Sequence, residues 1–211
     1  MKNLQNFNLL LLLIICFFTL SCSGSDSSDT GQNQATTIIT IVNNSTVSIT
    51  DVYICHGATG SSSWGTNTLT GAISAGSNKK LSMAFGIYDI KVIASDGSIG
   101  YIPAVGGTAE TITLRDVLVT FTNNTYGGGA KIINQAYLII SNAFPSTYYG
   151  ENRISVNINS SGGMSAPINV LYPGDYNWNV VAADLSKKNN SSVHPNLAAG
   201  MNATISINTI P

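Results

Sequence analysis

Charged side chains are scarce in this chain, at 9% of its 211 residues, against roughly 25% in a typical soluble domain. The basic residues form no run longer than Lys79-Lys80 or Lys187-Lys188. A nucleic-acid partner needs a basic stripe, and so does an electrostatic grip on anionic lipid, so the sequence favours neither. Ser, Thr and Asn fill the polar positions instead, and they favour strands and turns over helix interiors.

Motifs for catalysis and for metal binding are also lacking. The two histidines, His56 and His194, are far apart in the chain, and neither lies within a set of metal ligands at a characteristic spacing. No Gly-x-Ser-x-Gly or His-Glu-x-x-His pattern occurs, and the glycine run 127–129 lacks the Lys-Ser/Thr of a phosphate loop. We therefore expect a protein that is not an enzyme and that has no metal or cofactor.

The longest apolar run lies at the N-terminus. Leu9 to Leu20 are apolar apart from Thr19, and Lys2 precedes them. A helix of that length spans about 18 Å, which is too short for a bilayer core of roughly 30 Å. The segment therefore reads as a signal peptide and not as a transmembrane helix.

The run ends in Thr19-Leu20-Ser21-Cys22, which resembles the lipobox of bacterial lipoproteins. In that family a leucine usually stands where this chain has Thr19. The resemblance implies cleavage after residue 21 and a diacylglycerol thioether on Cys22. We therefore expect a lipid-anchored protein outside the cytoplasm, at the outer membrane or cell surface in preference to the inner membrane. Cys55 would then have no intramolecular disulfide partner, and we expect a buried, inert thiol.

A tether is predicted for residues 22–36. Its central part, Ser23 to Gln34, contains no apolar residue and cannot offset the entropy of ordering itself. Such a linker has a root-mean-square reach of about 20 Å.

The rest of the chain contains two similar halves, which we assign to residues 37–115 and 116–211. Each half opens with a Thr-x-x-Asn-Asn element, at 40–44 and 120–124, and continues with related segments at 86–96 and 174–184 and at 111–114 and 204–207. The order is kept while the offset grows from 80 to 93 residues. Duplication followed by loop insertion would give this pattern.

Apolar residues alternate within the repeated segments, which is typical of strands. Tyr88, Ile90, Val92 and Ala94 fall on one face and Asp89 and Lys91 on the other, so we expect a sheet covered on one side only. The prediction is an all-β protein of two tandem Ig-like β-sandwich domains, or alternatively one larger β-sandwich built from both repeats. In the second copy the inward residues are Tyr176, Trp178, Val180 and Ala182.

The first half also resembles a small β-sandwich module of exported bacterial proteins. The matching residues are Asn43-Asn44, Val52-Tyr53-Ile54, the Ser-Ser-Trp-Gly stretch 62–65 and the segment 86–90. The resemblance implies a fold and not an activity.

Loop aromatics are the remaining functional lead. Trp64, Tyr126, Tyr148 and Tyr149 lie in polar segments, where such rings either stack on a sugar, anchor a protein interface or fold back onto the sandwich ends. We therefore expect a non-catalytic binding, adhesion or structural lipoprotein with a protein ligand. The alternatives are a carbohydrate-binding lipoprotein that uses Trp64, Tyr148 and Tyr149, and an enzyme inhibitor.

Overall fold

The computed structural model describes residues 35–56, 64–140, 150–189 and 196–211. Over these ranges the chain forms β-strands, with one 3-10 turn at Gly127–Gly129 and no α-helix. The predicted all-β, β-sandwich fold is confirmed. Within the described part of the chain, no helix is long and apolar enough to cross a membrane.

The first half forms two three-stranded sheets. One has the order β3-β1-β6, with β1 antiparallel to β3 and parallel to β6, and the other has the order β2-β4-β5. Together they enclose an apolar core. The strands are β1 (Thr36–Asn43), β2 (Ile49–His56), β3 (Asn78–Ala84), β4 (Ile87–Ala94), β5 (Ile99–Gly106) and β6 (Ala109–Leu114).

The second half has the same pairing with two strands split. β9 and β10 pair with β7 as β3 pairs with β1, and β14 runs parallel to β7 as β6 does to β1. β11 pairs with β8 on one edge and with β12 and β13 on the other. The strands are β7 (Leu118–Asn123), β8 (Ile133–Ile140), β9 (Gly163–Met164), β10 (Ile168–Asn169), β11 (Gly174–Ala182), β12 (Lys187–Asn189), β13 (Asn196–Leu197) and β14 (Asn202–Ile207).

The predicted inward face is buried in both copies. In β4 the four alternating side chains from Tyr88 to Ala94 lie in the core of the first half. In β11 the matching positions are buried, except Trp178, which is partly buried against the same core. Burial of one face at period two is what selects the strand conformation here.

A buried asparagine closes the end of the first sandwich. The Nδ2 of Asn43 donates to the carbonyls of Val47 (2.8 Å) and Ile73 (2.9 Å). Its Oδ1 accepts from the amide (3.2 Å) and the hydroxyl (2.6 Å) of Ser45. The side chain is fully buried, so these four bonds replace the water that the amide group has lost.

Asn123 makes the same four bonds in the second sandwich. Its Nδ2 donates to the carbonyls of Lys131 (2.7 Å) and Ile158 (3.0 Å), and its Oδ1 accepts from the amide (3.2 Å) and hydroxyl (2.8 Å) of Thr125. The first asparagine of each Asn-Asn element therefore holds together the loops at one end of its own sandwich. The same hydrogen-bond network in both halves favours duplication of one ancestral sandwich over independent convergence on a strand pattern.

The expectation of a one-sided sheet was wrong for the first half. Asp89 and Lys91 are both buried, because the outer face of β4 is itself covered. Asp89 accepts a hydrogen bond from the amide of Ala104 (3.0 Å), and the ammonium group of Lys91 lies 5.6 Å from the centre of the Tyr53 ring. Lys91 also forms an ion pair with Glu151 of the second half.

The two halves pack closely against each other. Three first-half side chains, Cys55, Trp64 and Tyr101, belong to the apolar cluster of the second half, and Tyr101 donates a hydrogen bond to Glu151. A Cβ on Gly100 would lie 3.3 Å from the Val170 carbonyl oxygen. The backbones of the two halves therefore approach so closely here that a residue larger than glycine would crowd the Val170 carbonyl. The Cys55 thiol is buried and forms no disulfide with another described residue.

Candidate binding surfaces

A cleft of about 580 Å³ lies where the two halves meet. The first half supplies Thr46 and the β4–β5 turn, Asp96 to Ser98. The second half supplies Leu118 and the segments 153–156 and 164–169. No aromatic side chain lines the described wall of the cleft.

Asp116 fixes the junction at the edge of this cleft. Its Oδ2 accepts from the amide of Thr46 (2.9 Å), and its Oδ1 accepts from the side-chain amide of Asn169 (2.5 Å). Asn169 in turn accepts from the amides of Val117 (3.1 Å) and Leu171 (3.1 Å). The short connection between β6 and β7 is therefore hydrogen-bonded to both halves. Both oxygens of the Asp116 carboxylate already accept hydrogen bonds from the protein itself.

Arg153 also serves the junction. Its two terminal nitrogens donate to the carbonyls of Ile99 (3.2 Å) in the first half and Asn169 (3.0 Å) in the second. Burial lowers the pKa of this guanidinium from its usual value. Both nitrogens bond to the protein's own backbone, one in each half, so Arg153 stabilises the contact between the halves.

The other carboxylate in the cleft stabilises a turn. Asp96 accepts from the amide (2.9 Å) and from the hydroxyl (2.9 Å) of Ser98. Among the described residues, no group of three or more His, Cys, Asp or Glu side chains is placed to hold a metal ion. The charged side chains that line the cleft, Asp96, Asp116 and Arg153, thus all have hydrogen-bond partners within the protein.

A second surface lies at the free end of the second half. Tyr126, Ile132 and Leu185 are exposed by 76%, 44% and 75%, and we call them the distal tip. Two bonds join Thr125 to Lys131, and the amide of Ala183 donates to the carbonyl of Ile132 (2.9 Å). The first two bonds close the loop between β7 and β8, and the third joins that loop to the β11–β12 turn. The two loops that carry the three exposed side chains are therefore neighbours.

An ion pair between Lys131 and Asp184 connects the same two loops. The hydrogen bond from Lys131 is the main reason why the pKa of Asp184 lies below its usual range, and bonds from Ser186 add to it. The distal tip is therefore an apolar surface on a cross-linked pair of loops.

Leu185 has an unusual backbone. Its φ is +68°, in the left-handed region that disfavours residues with a Cβ. Leu171 has a similar φ of +59°, but its side chain is fully buried between the two halves. The side chain of Leu185 gains no such burial. An exposed leucine in a strained turn calls for an explanation outside the fold.

The first half shows what this turn needs structurally. Gly97, with φ +83°, occupies the position that Leu185 occupies in the second half. In both turns the aspartate before this position accepts a hydrogen bond from the hydroxyl of the serine after it. The amides of Gly97 and Leu185 each donate to the carbonyl of an alanine three residues earlier, at 2.9 Å in both copies. Glycine satisfies the turn, so the leucine is not required by its geometry.

The residues singled out from the sequence are placed differently. Trp64 is only 8% exposed, and its ring lies 5.7 Å from that of Tyr101 between centroids, at 43°. Tyr126 is exposed at the distal tip. Cys22, Tyr148 and Tyr149 lie outside the described residues. Ile132 and Leu185 were missed. Aligning Asp96-Gly97 with Asp184-Leu185 was the signal that could have identified Leu185.

The comparisons with known proteins add little. No protein-family model matches the chain, and no curated protein does. Among solved structures, the Bacillus anthracis TIE protein is similar at 14% identity, with a TM-score of 0.27 over 83% of this chain and 34% of that chain. The gamma-CGTase from alkalophilic Bacillus clarkii is similar at 15% identity, with a TM-score of 0.29 over 83% and 28%. The chain spans about a third of the length of either protein.

Proposed function

We propose that this chain is a lipid-anchored, non-catalytic binding protein outside the cytoplasm, at the outer membrane or cell surface, and that its distal tip binds a protein partner. Cys22 would carry the lipid, residues 22–35 would form the tether, since β1 begins at Thr36, and the two packed repeats would hold the tip away from the bilayer. The observation that carries the proposal is Leu185, an exposed leucine in a left-handed turn that is satisfied by glycine in the first repeat.

The chemistry of the tip favours a polypeptide over a sugar. Two of its three side chains are aliphatic, and aliphatic surface is best buried against apolar protein surface. Tyr126 adds an amphipathic ring of the kind that is enriched at protein interfaces. An enzyme would be one possible partner, so an inhibitor is a special case of this proposal.

Site-specific photo-crosslinking in intact cells tests the proposal. A photoreactive amino acid at Leu185 should give one discrete crosslinked product. The control is the same residue at Val156, which lines the cleft and is equally exposed, at 75%. A product at Val156 and none at Leu185 would assign binding to the cleft and overturn the role of the tip.

Leu185→Gly provides the second test. Glycine suits the backbone, so the variant should fold at least as well while losing the side chain that we place in the interface. Its affinity for the captured protein should fall by about tenfold or more, as for a central interface residue. Unchanged affinity would contradict the proposal.

Carbohydrate binding is the second candidate. With the Trp64 ring buried, it depends on Tyr148 and Tyr149. A polysaccharide pulldown with the full chain and with Tyr148→Ala/Tyr149→Ala tests it. The variant Trp64→Ala tests the prediction from the sequence that Trp64 also contacts the sugar. Retention that is lost only in the double tyrosine variant would favour this function.

A further inference from the structure

A second apolar tip lies at the opposite end of the first repeat, where the tether joins it. Phe85, in the turn between β3 and β4, and Ile87, the first residue of β4, are both more than half exposed. The amide of Phe85 donates to the carbonyl of Ala35 (3.0 Å), the first residue that the structure describes. The tether therefore enters the fold beside these two side chains, which we call the proximal tip.

The turn that carries the proximal tip is held firmly. The hydroxyl of Thr37 donates to the carbonyl of Gly107 (2.8 Å) and accepts from the amide of Gly86 (3.2 Å). A Cβ on Gly86 would lie 2.8 Å from Nε2 of His56, so glycine lets the turn pack against β2. Phe85 and Ile87 thus project from a fixed backbone.

The second repeat lacks this apolar pair. Its matching turn reads Pro173-Gly174-Asp175, and the carboxylate of Asp175 accepts from the side chain of Asn196 (2.7 Å). The fold tolerates polar residues in this turn. Only the first repeat has two large apolar side chains there, since Pro173 and Asp175 replace Phe85 and Ile87 in the second.

We propose that the proximal tip inserts into the surface of the bilayer that holds the lipid, and so fixes the orientation of the protein on the membrane. This inference rests on the lipid anchor of the proposed function. With the 12 residues from Ser23 to Gln34, the tip would lie at a root-mean-square distance of about 20 Å from the acylated cysteine. At that distance the effective concentration of the bilayer is high, so the two apolar side chains need to contribute little affinity of their own.

Fluorescence of the full lipidated chain in vesicles of phosphatidylethanolamine and phosphatidylglycerol tests the inference. An environment-sensitive dye is attached at Phe85→Cys or, as the matched control, at Leu185→Cys, each with Cys55→Ala. Mass spectrometry of the same samples reports whether Cys22 is acylated. We expect a blue shift and quenching by lipid-borne quenchers at position 85, and neither at position 185.

The outcomes separate the two proposals. If Cys22 is acylated and the dye at position 85 reports water, the bilayer contact is wrong and the anchor stands. Equal quenching at both positions would also overturn the contact, since the protein would then have no fixed orientation. An unmodified Cys22 would overturn the anchor. Ile87→Asp, which copies the second repeat, should reduce quenching at position 85 at least twofold, with circular dichroism unchanged.

Discussion

The two repeats of this protein share their interiors and differ at their ends. The hydrogen bonds of the buried asparagines recur in both repeats, and so does the strand pairing, apart from the two strands that are split in the second repeat. The exposed turns do not, since Gly97 is matched by Leu185, and Ile87 by Asp175. One fold therefore contains its own control. Residues that match across the repeats maintain the sandwich, and exposed residues that diverge are free to serve function.

The largest expected effect tests whether the interiors are equivalent. Asn43→Ala and Asn123→Ala should each lower the free energy of unfolding by about 3 kcal/mol, because each leaves buried backbone groups without partners. Urea denaturation of the full chain measures this. Asn44→Ala, at an exposed neighbour, should change stability by less than about 0.5 kcal/mol. A large difference between the two asparagines would show that the repeats are not energetically alike.

The contact between the repeats gives the next largest effect. Glu151→Ala leaves the buried Lys91 ammonium without its partner and removes the acceptor of Tyr101. Because Glu151 itself is partly exposed, we expect a loss of about 2 kcal/mol, which is below the roughly 3–5 kcal/mol for breaking a fully buried pair. Asp175→Ala, which removes an exposed carboxylate, should cost less than about 0.5 kcal/mol. Equal losses in urea would argue against the contact.

Exchanging the turn residues sharpens the comparison further. Gly97→Ala should destabilise the protein by about 1 kcal/mol, because its φ is positive while space for a Cβ is free. Leu185→Gly should stabilise it by about 0.5 kcal/mol, since relief of strain slightly exceeds the added entropy of the unfolded chain. Gly128→Ala is the neutral control. Thermal unfolding would contradict the strain argument if Leu185→Gly lowered the midpoint.

The smallest effect is at alkaline pH. Tyr88 and Tyr176 each donate to a carbonyl four residues earlier, at 2.6 Å, and burial raises the pKa of both phenols. Their contribution is complete below the unfolded pKa of about 10 and is lost as the pH rises above it. Unfolding midpoints between pH 8 and 11 should fall less in Tyr176→Phe than in the unsubstituted chain. Identical profiles would exclude this linkage.

Local patterns predicted the strands and the inward faces. Alternation from Tyr88 to Ala94 identified the buried face of β4, because strand periodicity is a property of neighbouring residues. The burial of Asp89 and Lys91 was not predictable in this way, since it depends on Glu151 and on the second repeat packing over that face. A strand pattern with one polar face cannot show what another part of the chain brings to it.

The candidate sites were harder to predict. Aromatic residues in polar segments drew attention to Trp64, which the structure places in the core, because a loop composition does not report where a ring folds. The strain at Leu185 depends on the sign of one backbone angle, which composition and hydropathy do not encode. It becomes visible only when the turns of the two repeats are aligned.

The parallel pairing of β1 with β6 has a mechanical consequence. Both strands run from the tether end of the first repeat towards the second, with partners from Ile38–Ala109 to Asn43–Leu114. If the N-terminus is anchored and the distal tip holds a partner, as we propose, tension between them would pull β1 one way and β6 the other, along their length. The hydrogen bonds between them would then be loaded together in shear instead of breaking one after another. Such an arrangement makes the first repeat resistant to unfolding by force.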